Sequence, residues 1–224
     1  MAVSVIIPTL NEEGCIAETL RELRAQKPHE IIVSDGGSMD GTRRAAAGAD
    51  CFLESQRGRA FQMNDGARRA TGDVLLFLHA DCRLEAGAFS AAEACLQRGR
   101  SVAGCFTMHV DASGALFRWI DFVAALRVRS TGLIYGDQGL FVRRELFDQL
   151  GGFPGVPILE DVHFSRTLRA RGRVAITSKR IWVSPRRWRR TGIVRQTIRN
   201  WTILGLAAAG TPPHQLASWY PEVR

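Results

Sequence analysis

The chain has 224 residues, 46% of them apolar, and a formal charge of +8 at pH 7. That is ample for one hydrophobic core, and no apolar run reaches the roughly 20 residues that a membrane-spanning helix needs. The five cysteines are scattered and never spaced CxxC, which excludes a disulfide framework and a zinc ribbon and suits reduced thiols in a cytoplasmic protein. Lys27 and Lys179 are the two lysines, so nearly all the positive charge is arginine. Such a surplus suits a polyanion partner (nucleotide diphosphate, nucleic acid, anionic membrane) or an ordinary solvated surface, and composition leaves both open.

Met1-Ala2-Val3-Ser4 enters a strand directly, with no basic n-region or cleavage pattern. Val3 to Pro8 reads as a β-branched strand stopped by its proline. Asn11 is expected to cap a helix with Glu12 and Glu13 in its first turn and Ile16, Leu20 and Leu23 on one apolar face. Glu30 to Asp35 is a second strand, turned by Gly36-Gly37. Strand, helix, strand implies a right-handed parallel crossover. Asp50 to Glu54 reads as a third strand, and a helix after Arg57-Gly58-Arg59 shows Ala60, Met63, Ala67 and Ala70 on one face. Val74 to Leu78 is an unbroken apolar run, the pattern of a strand buried on both faces. It ends in His79-Ala80-Asp81, where ligands of open α/β sheets sit. A helix through Phe89 to Leu96 and a strand over Val102 to Val110 follow. Leu116, Ile120 and Val123 mark an amphipathic helix ending near Arg127 and Arg129. Gln138 to Val142 is short and apolar, Glu160-Asp161 opens a helix carrying Phe164 and Leu168, and Val174 to Thr177 and Ile181 to Val183 read as two short strands. A last helix begins near Ile193 and passes Trp201. No repeat or low-complexity linker interrupts this order, so residues 1–190 form one domain and 191–224 a helical tail.

There is no GxxxxGK[ST] loop and no GxGxxG after the first strand. Gly36-Gly37-Ser38-Met39-Asp40 begins like a hydrolase nucleophile elbow but lacks the closing glycine. Four segments remain: Pro8-Thr9-Leu10-Asn11-Glu12, Asp35-Gly36-Gly37-Ser38-Met39-Asp40-Gly41-Thr42, Asp73 to Asp81, and Glu160-Asp161. In this order they resemble the family-2 glycosyltransferases of the GT-A fold, an α/β fold with a mostly parallel Rossmann-like sheet flanked by helices. The wording Gly58-Arg59-Ala60…Gln62-Met63-Asn64, Gly136-Asp137-Gln138-Gly139 and Arg187-Trp188 is similar to small soluble bacterial members, among them a subgroup associated with arsenosugar biosynthesis.

The resemblance implies an inverting transfer of a sugar from a nucleotide diphosphate, UDP by preference, to an acceptor hydroxyl. Pro8, Thr9 and Glu12 would line the nucleotide pocket, Asp35 beside Gly36 would hydrogen-bond the base, and Arg59, with Asn64 on the same helix, would lie along the diphosphate. Asp81 matches the last carboxylate of the family's Asp-x-Asp metal motif and would hold Mg2+ or Mn2+, with His163 as a further ligand. His79 stands where the motif's first Asp belongs; an imidazole ligates a transition metal or donates to a ribose oxygen, without a carboxylate's charge. Asp161 matches the catalytic base, and Asp137, Gln138, Glu160, Arg187 and Trp188 would face the acceptor or sugar. Each has a plain structural alternative: turn closure for Asp35, helix capping for Asp81 and the Glu160-Asp161 pair, core packing for Trp188. A binding module for nucleotide sugars or polyanions that has lost catalysis is the competing function. The run Arg186 to Arg199 lacks a nucleic-acid reading motif, so no nucleic-acid partner is expected. Ile193, Thr197, Trp201 and Leu204 share a face beside Arg195 and Arg199. That face suits the core, a second subunit in a homodimer, or the anionic inner face of a membrane.

Overall fold

The computed structural model of the chain describes residues 1–97 and 101–219. Elements follow in the order β1 (Val3–Thr9), α1 (Ile16–Ala25), β2 (Glu30–Asp35), α2 (Thr42–Ala45), β3 (Cys51–Glu54), α3 (Arg59–Arg69), β4 (Val74–Phe77), β5 (Cys82–Leu84) and α4 (Ala88–Gln97). They continue with β6 (Ala103–Val110), α5 (Ala115–Thr131), β7 (Leu140–Arg143), α6 (Arg144–Gln149), α7 (Glu160–Arg171), β8 (Val174–Val183), α8 (Arg186–Thr191), α9 (Ile193–Ala208) and α10 (Pro213–Ala217). The strands form one sheet in the order β3-β2-β1-β4-β7-β6-β8-β5. β1 to β4 are mutually parallel, β7 runs against β4 and β6, and β5 runs against β8. The sheet is therefore mixed, with helices on both faces.

Side-chain alternation explains why the central strands read as continuous apolar runs. Val3, Val5 and Ile7 of β1, with Val74 and Leu76 of β4, point into one core under α1 and α4. Ile6, Leu75 and Phe77 point the other way, against α3 and α7. Both faces are covered, so both sets must be apolar. On the second face Phe77, Phe147, Phe153 and Phe164 pack ring on ring, with centroids 4.8–5.5 Å apart. Gly66 lets α3 lie close on the sheet, since a Cβ there would stand 2.5 Å from Ile6 Cγ2.

Several local expectations change. Pro8 does not stop β1, which runs on to Thr9. The pairing of β1 with β4 ends at Ile6 and Phe77, so no ladder bond on that side is lost to the proline's missing N–H. Asn11 caps nothing: it turns the chain at φ 55°, its Oδ1 accepts from Met39 N, and α1 starts only at Ile16. The loops after β1 and β2 are zipped together instead, Asn11 N donating to Ser38 Oγ and Glu12 N to Thr42 Oγ1, each at 2.8 Å. The two short strands near the end are one, β8, whose pairing with β6 shifts register between Cys105 and Thr107. In α5 the buried face is Phe117, Ala124, Ala125 and Val128, while Leu116 is 41% exposed. The tail packs on the domain: Ile203 and Leu216 bury against Ile158, and Ile193 packs on the first core. Residues 220–224 of that tail lie outside the described residues. Among the described residues no helix is long and apolar enough to cross a membrane.

Candidate active site

Sheet order reverses at β1: the chain runs outward through β2 and β3, then returns to place β4 on the other side. In open α/β sheets a crevice forms at the carboxyl ends of strands flanking such a switch point. A cavity of about 200 Å³ lies there. Pro8, Leu10 and Glu12 come to it from the end of β1, and His79, Ala80 and Asp81 from the end of β4. Arg59 and Gln62 come from α3, Tyr135, Gly136 and Asp137 from the turn before β7, Asp161 from α7, and Arg186, Arg187 and Trp188 from α8. Asn200, Ile203 and Leu204 of α9 close one side.

Asp161 is buried at the N-terminal turn of α7, behind Leu159, which holds the left-handed φ of 62°. A bulky residue rarely takes that conformation, and Leu159 is held there by packing on the Ile158, Ile203 and Leu216 cluster. The Asp161 Oδ1 accepts from Val162 N at 2.7 Å and Oδ2 from Gly136 N. Two backbone donors thus orient the carboxylate. A Cβ on Gly136 would meet His79 Nε2 at 2.7 Å and Asp161 Oδ2 at 3.3 Å, so only glycine lets these two side chains converge there.

Glu160 is also buried; its Oε1 lies 2.8 Å from Arg59 Nε and its Oε2 accepts from Arg59 Nη2. Glu160 therefore fixes the Arg59 guanidinium at the cavity wall and holds it charged. Arg186 pairs with Glu12 at 3.0 Å and approaches Asp81 at 3.6 Å, tying α8 to the loops after β1 and β4. Burial pushes the Asp81 carboxyl above the usual range, against the pull of Arg186. Burial, with Arg59 nearby, pushes Arg187 down. Burial likewise raises Asp137, against the pull of Arg127.

Of the residues expected from sequence, Pro8, Glu12, Arg59, His79, Asp81, Asp137, Asp161, Arg187 and Trp188 are walls of this one cavity. Thr9, Asp35 and Gly36 stand just behind it, at the end of the β1–β2 pair. Asp35 is spent on its own turn, accepting from Thr9 Oγ1, Gly37 N, Ser38 N and Ser38 Oγ. Four donors fill a carboxylate's acceptor sites. A base reaching Asp35 must displace Ser38. Gly36 accommodates Gln62, whose Nε2 donates to Thr9 O at 2.6 Å and Ser34 O at 3.0 Å. Asn64 lies off the cavity, its amide exchanging two 2.9 Å hydrogen bonds with the Phe153 backbone. Gln138 is fully buried, and its Oε1 accepts from Arg127 and Tyr135 N. His163 is not a wall of this cavity. Sequence reasoning missed Gln62, Tyr135, Arg186 and Asn200 as walls; of these Gln62, in the wording that carries the family resemblance, and Arg186, in an arginine run around a tryptophan, carried a visible signal.

Among the described residues no three His, Cys, Asp or Glu side chains cluster as a metal-ligand set. The donor set available is Asp81 with His79 two residues before it. This fits a hard divalent ion held chiefly by phosphate oxygens and water, with one carboxylate from the protein.

The structure resembles that of S. aureus TarS residues 1–349 in complex with UDP-GlcNAc, with a TM-score of 0.65, 20% identity, and coverage of 82% of this chain and 58% of that one. It also resembles glucosyl-3-phosphoglycerate synthase from Mycobacterium tuberculosis in complex with Mn2+, UDP and phosphoglyceric acid, with a TM-score of 0.59, 19% identity, and coverage of 78% and 67%. Both likenesses concern the fold, which is GT-A. In sequence, the glycosyltransferase AglE of Haloferax volcanii is 28% identical over 189 residues, 73% of this chain and 60% of AglE. The chain thus spans less than two thirds of that relative. The pattern of Glycosyl transferase family 2 matches residues 4–153, which carry both crevice strands, β1 and β4, and the loops that follow them. The chain therefore belongs to glycosyl transferase family 2.

Proposed function

We propose that this chain transfers a sugar from a nucleotide diphosphate sugar, UDP-linked by preference, to an acceptor hydroxyl with inversion at the anomeric carbon. One observation carries the reading: Asp81, Asp161 and three arginines, from four separate segments, line a single cavity at the sheet's switch point. Support for UDP comes from the fold neighbours that bind it. The nucleotide lies against Pro8, Leu10 and Glu12, with Asp35 and Gln62 stiffening the two loops beneath it. Arg59, Arg186 and Arg187 face the diphosphate. An anion placed among them relieves the mutual repulsion and burial that depress Arg187. A divalent ion, Mg2+ or Mn2+, would be held by Asp81 and His79, and when bound it offsets charge on the departing phosphate.

Asp161 accepts the acceptor's proton as that hydroxyl's oxygen bonds to the anomeric carbon. The bond from that carbon to the phosphate oxygen breaks, and the electron pair leaves with the nucleoside diphosphate. Arginines fixed in advance, as Glu160 fixes Arg59, stabilise the leaving charge without reorganising. A thermal-shift series tests the donor side: UDP with Mn2+ raises Tm more than other nucleoside diphosphates do, and Asp81→Ala removes the metal's contribution. An equal UDP shift in chelator disproves the metal assignment. No UDP shift under any condition disproves the donor reading.

A further inference from the structure

A second cavity, about 270 Å³, lies between α5 and α9. It shares Tyr135, Asp137, Trp188, Asn200 and Leu204 with the first, so the two meet along one wall. Away from that wall its lining is mostly apolar, including Met108, Ile120, Val123 and Ala124. Trp119 and Trp201, 45% and 49% exposed with ring centroids 5.3 Å apart, bring it to the protein surface. The space is polar where it joins the candidate active site and apolar where it leaves it.

Two buried polar atoms of residues on the shared wall are unsatisfied among the described residues. Trp188 Nε1, on a side chain more than nine-tenths buried, and Asp137 Oδ1 have no hydrogen-bond partner among the described residues. Burying a donor and an acceptor unpaired is unfavourable, and such groups in a native protein call for a ligand or ordered water. Hydroxyls answer both needs, because each accepts from an indole N–H and donates to a carboxylate oxygen. An apolar passage leading away from that point has no use for a purely polar sugar.

Resting on the transferase reading above, we propose that the acceptor is an amphiphile: its hydroxyl head sits at the wall formed by Asp137 and Trp188, and its aliphatic chain runs between α5 and α9 toward Trp119 and Trp201. This places the reacting hydroxyl in the cavity that holds Asp161 and gives the tail helix α9 a part in selecting the acceptor.

The test is calorimetric binding of a series from methyl to octyl β-D-glucoside, each below its micelle concentration, to protein saturated with UDP and Mn2+. Affinity should tighten about threefold to fourfold for each CH2 that enters the cavity, then level off. Val123→Trp, which fills the apolar passage, should flatten the series while UDP still binds; Val123→Met, a smaller filler, should shorten the plateau and serves if the tryptophan variant does not fold. Trp188→Phe should weaken every member alike, since it removes the head-group donor and leaves the chain's walls. Sedimentation with phosphatidylglycerol vesicles separates two sources of one chemistry. Protein that binds the monomeric octyl compound and stays in the supernatant takes its acceptor from solution; protein that also pellets, and is released by the octyl compound, takes it from a bilayer. A flat series in the unmodified protein with UDP bound overturns this inference and leaves the donor reading intact. Failure of UDP to bind overturns the donor reading first.

Discussion

At the scale of single residues, the site is governed by which carboxylates keep their charge and what holds them. Asp161 and Asp137 come from neighbouring walls but live in different surroundings. Asp161 is gripped by two backbone N–H groups, which aim its carboxylate. Asp161→Asn should keep UDP affinity within about threefold and lower turnover by roughly 10²–10⁴, the usual worth of a general base; single-turnover assays alongside UDP titration separate the two effects. Asp137 is desolvated with an oxygen unpaired among the described residues, and its carboxyl is raised above the ordinary 3.8. A carboxyl whose folded value is raised takes up its proton more readily in the folded state, so its penalty is absent below the ordinary value and grows as pH rises through the raised one. Asp137→Asn should therefore raise Tm by about 2–4 °C at about pH 8, the shift that ~1 kcal/mol produces in a domain of this size, with the gain fading toward about pH 4. A pH-independent gain would mean that charge is not the cause.

At the scale of elements, α3 carries the site because it lies close on the sheet. Gly66 packs on Ile6 of β1 halfway along the helix, and Arg59 begins it. Gly66→Ala gains about 1 kcal/mol of helix propensity but forces a methyl into contact at 2.5 Å, and overpacking costs about 1–3 kcal/mol. The second effect should win or cancel the first, so urea unfolding should show no stabilisation. UDP should bind severalfold more weakly as the helix and Arg59 lift from the cavity. Element reading from sequence was reliable where periodicity had one cause. The double-sided burial of β4 left an unmistakable apolar run, and Glu160-Asp161 does open α7. It failed where tertiary contact competed with a local rule. Asn11 looks like a helix cap but is drawn into the zipper with the loop after β2, and α5 buries Phe117 and Ala124 in place of Leu116 because the sheet, and not the helix's own pattern, sets which face is covered.

At the scale of the whole molecule, the last described segment packs on the rest of the chain. α9 supplies Asn200, Ile203 and Leu204 to the cavity, and with α10 it packs on Ile158, next to Leu159 with its left-handed φ. Ile203→Asp buries an unpaired charge in that small cluster and should cost about 3 kcal/mol or more, read as a clear drop in Tm. UDP affinity should hold within about threefold, because the walls proposed for the nucleotide come from the loops after β1 and β4, from α3 and from α8, and Ile203 lies on none of these. Acceptor turnover should fall much further, and equal loss of both would show that the tail supports the donor side too.

Sequence alone determined the sheet-and-helix alternation, the family resemblance and the location of acidic residues at strand ends, because each depends on residues near one another in the chain. The structure decided which of those residues share a cavity, that Asp35 is spent on its own turn, that Glu160 serves Arg59, and that Asn64, Gln138 and His163 stand elsewhere. Those outcomes turn on pairings such as Arg186 with Glu12, 174 positions apart, which local pattern cannot express because only the folded sheet brings such residues together.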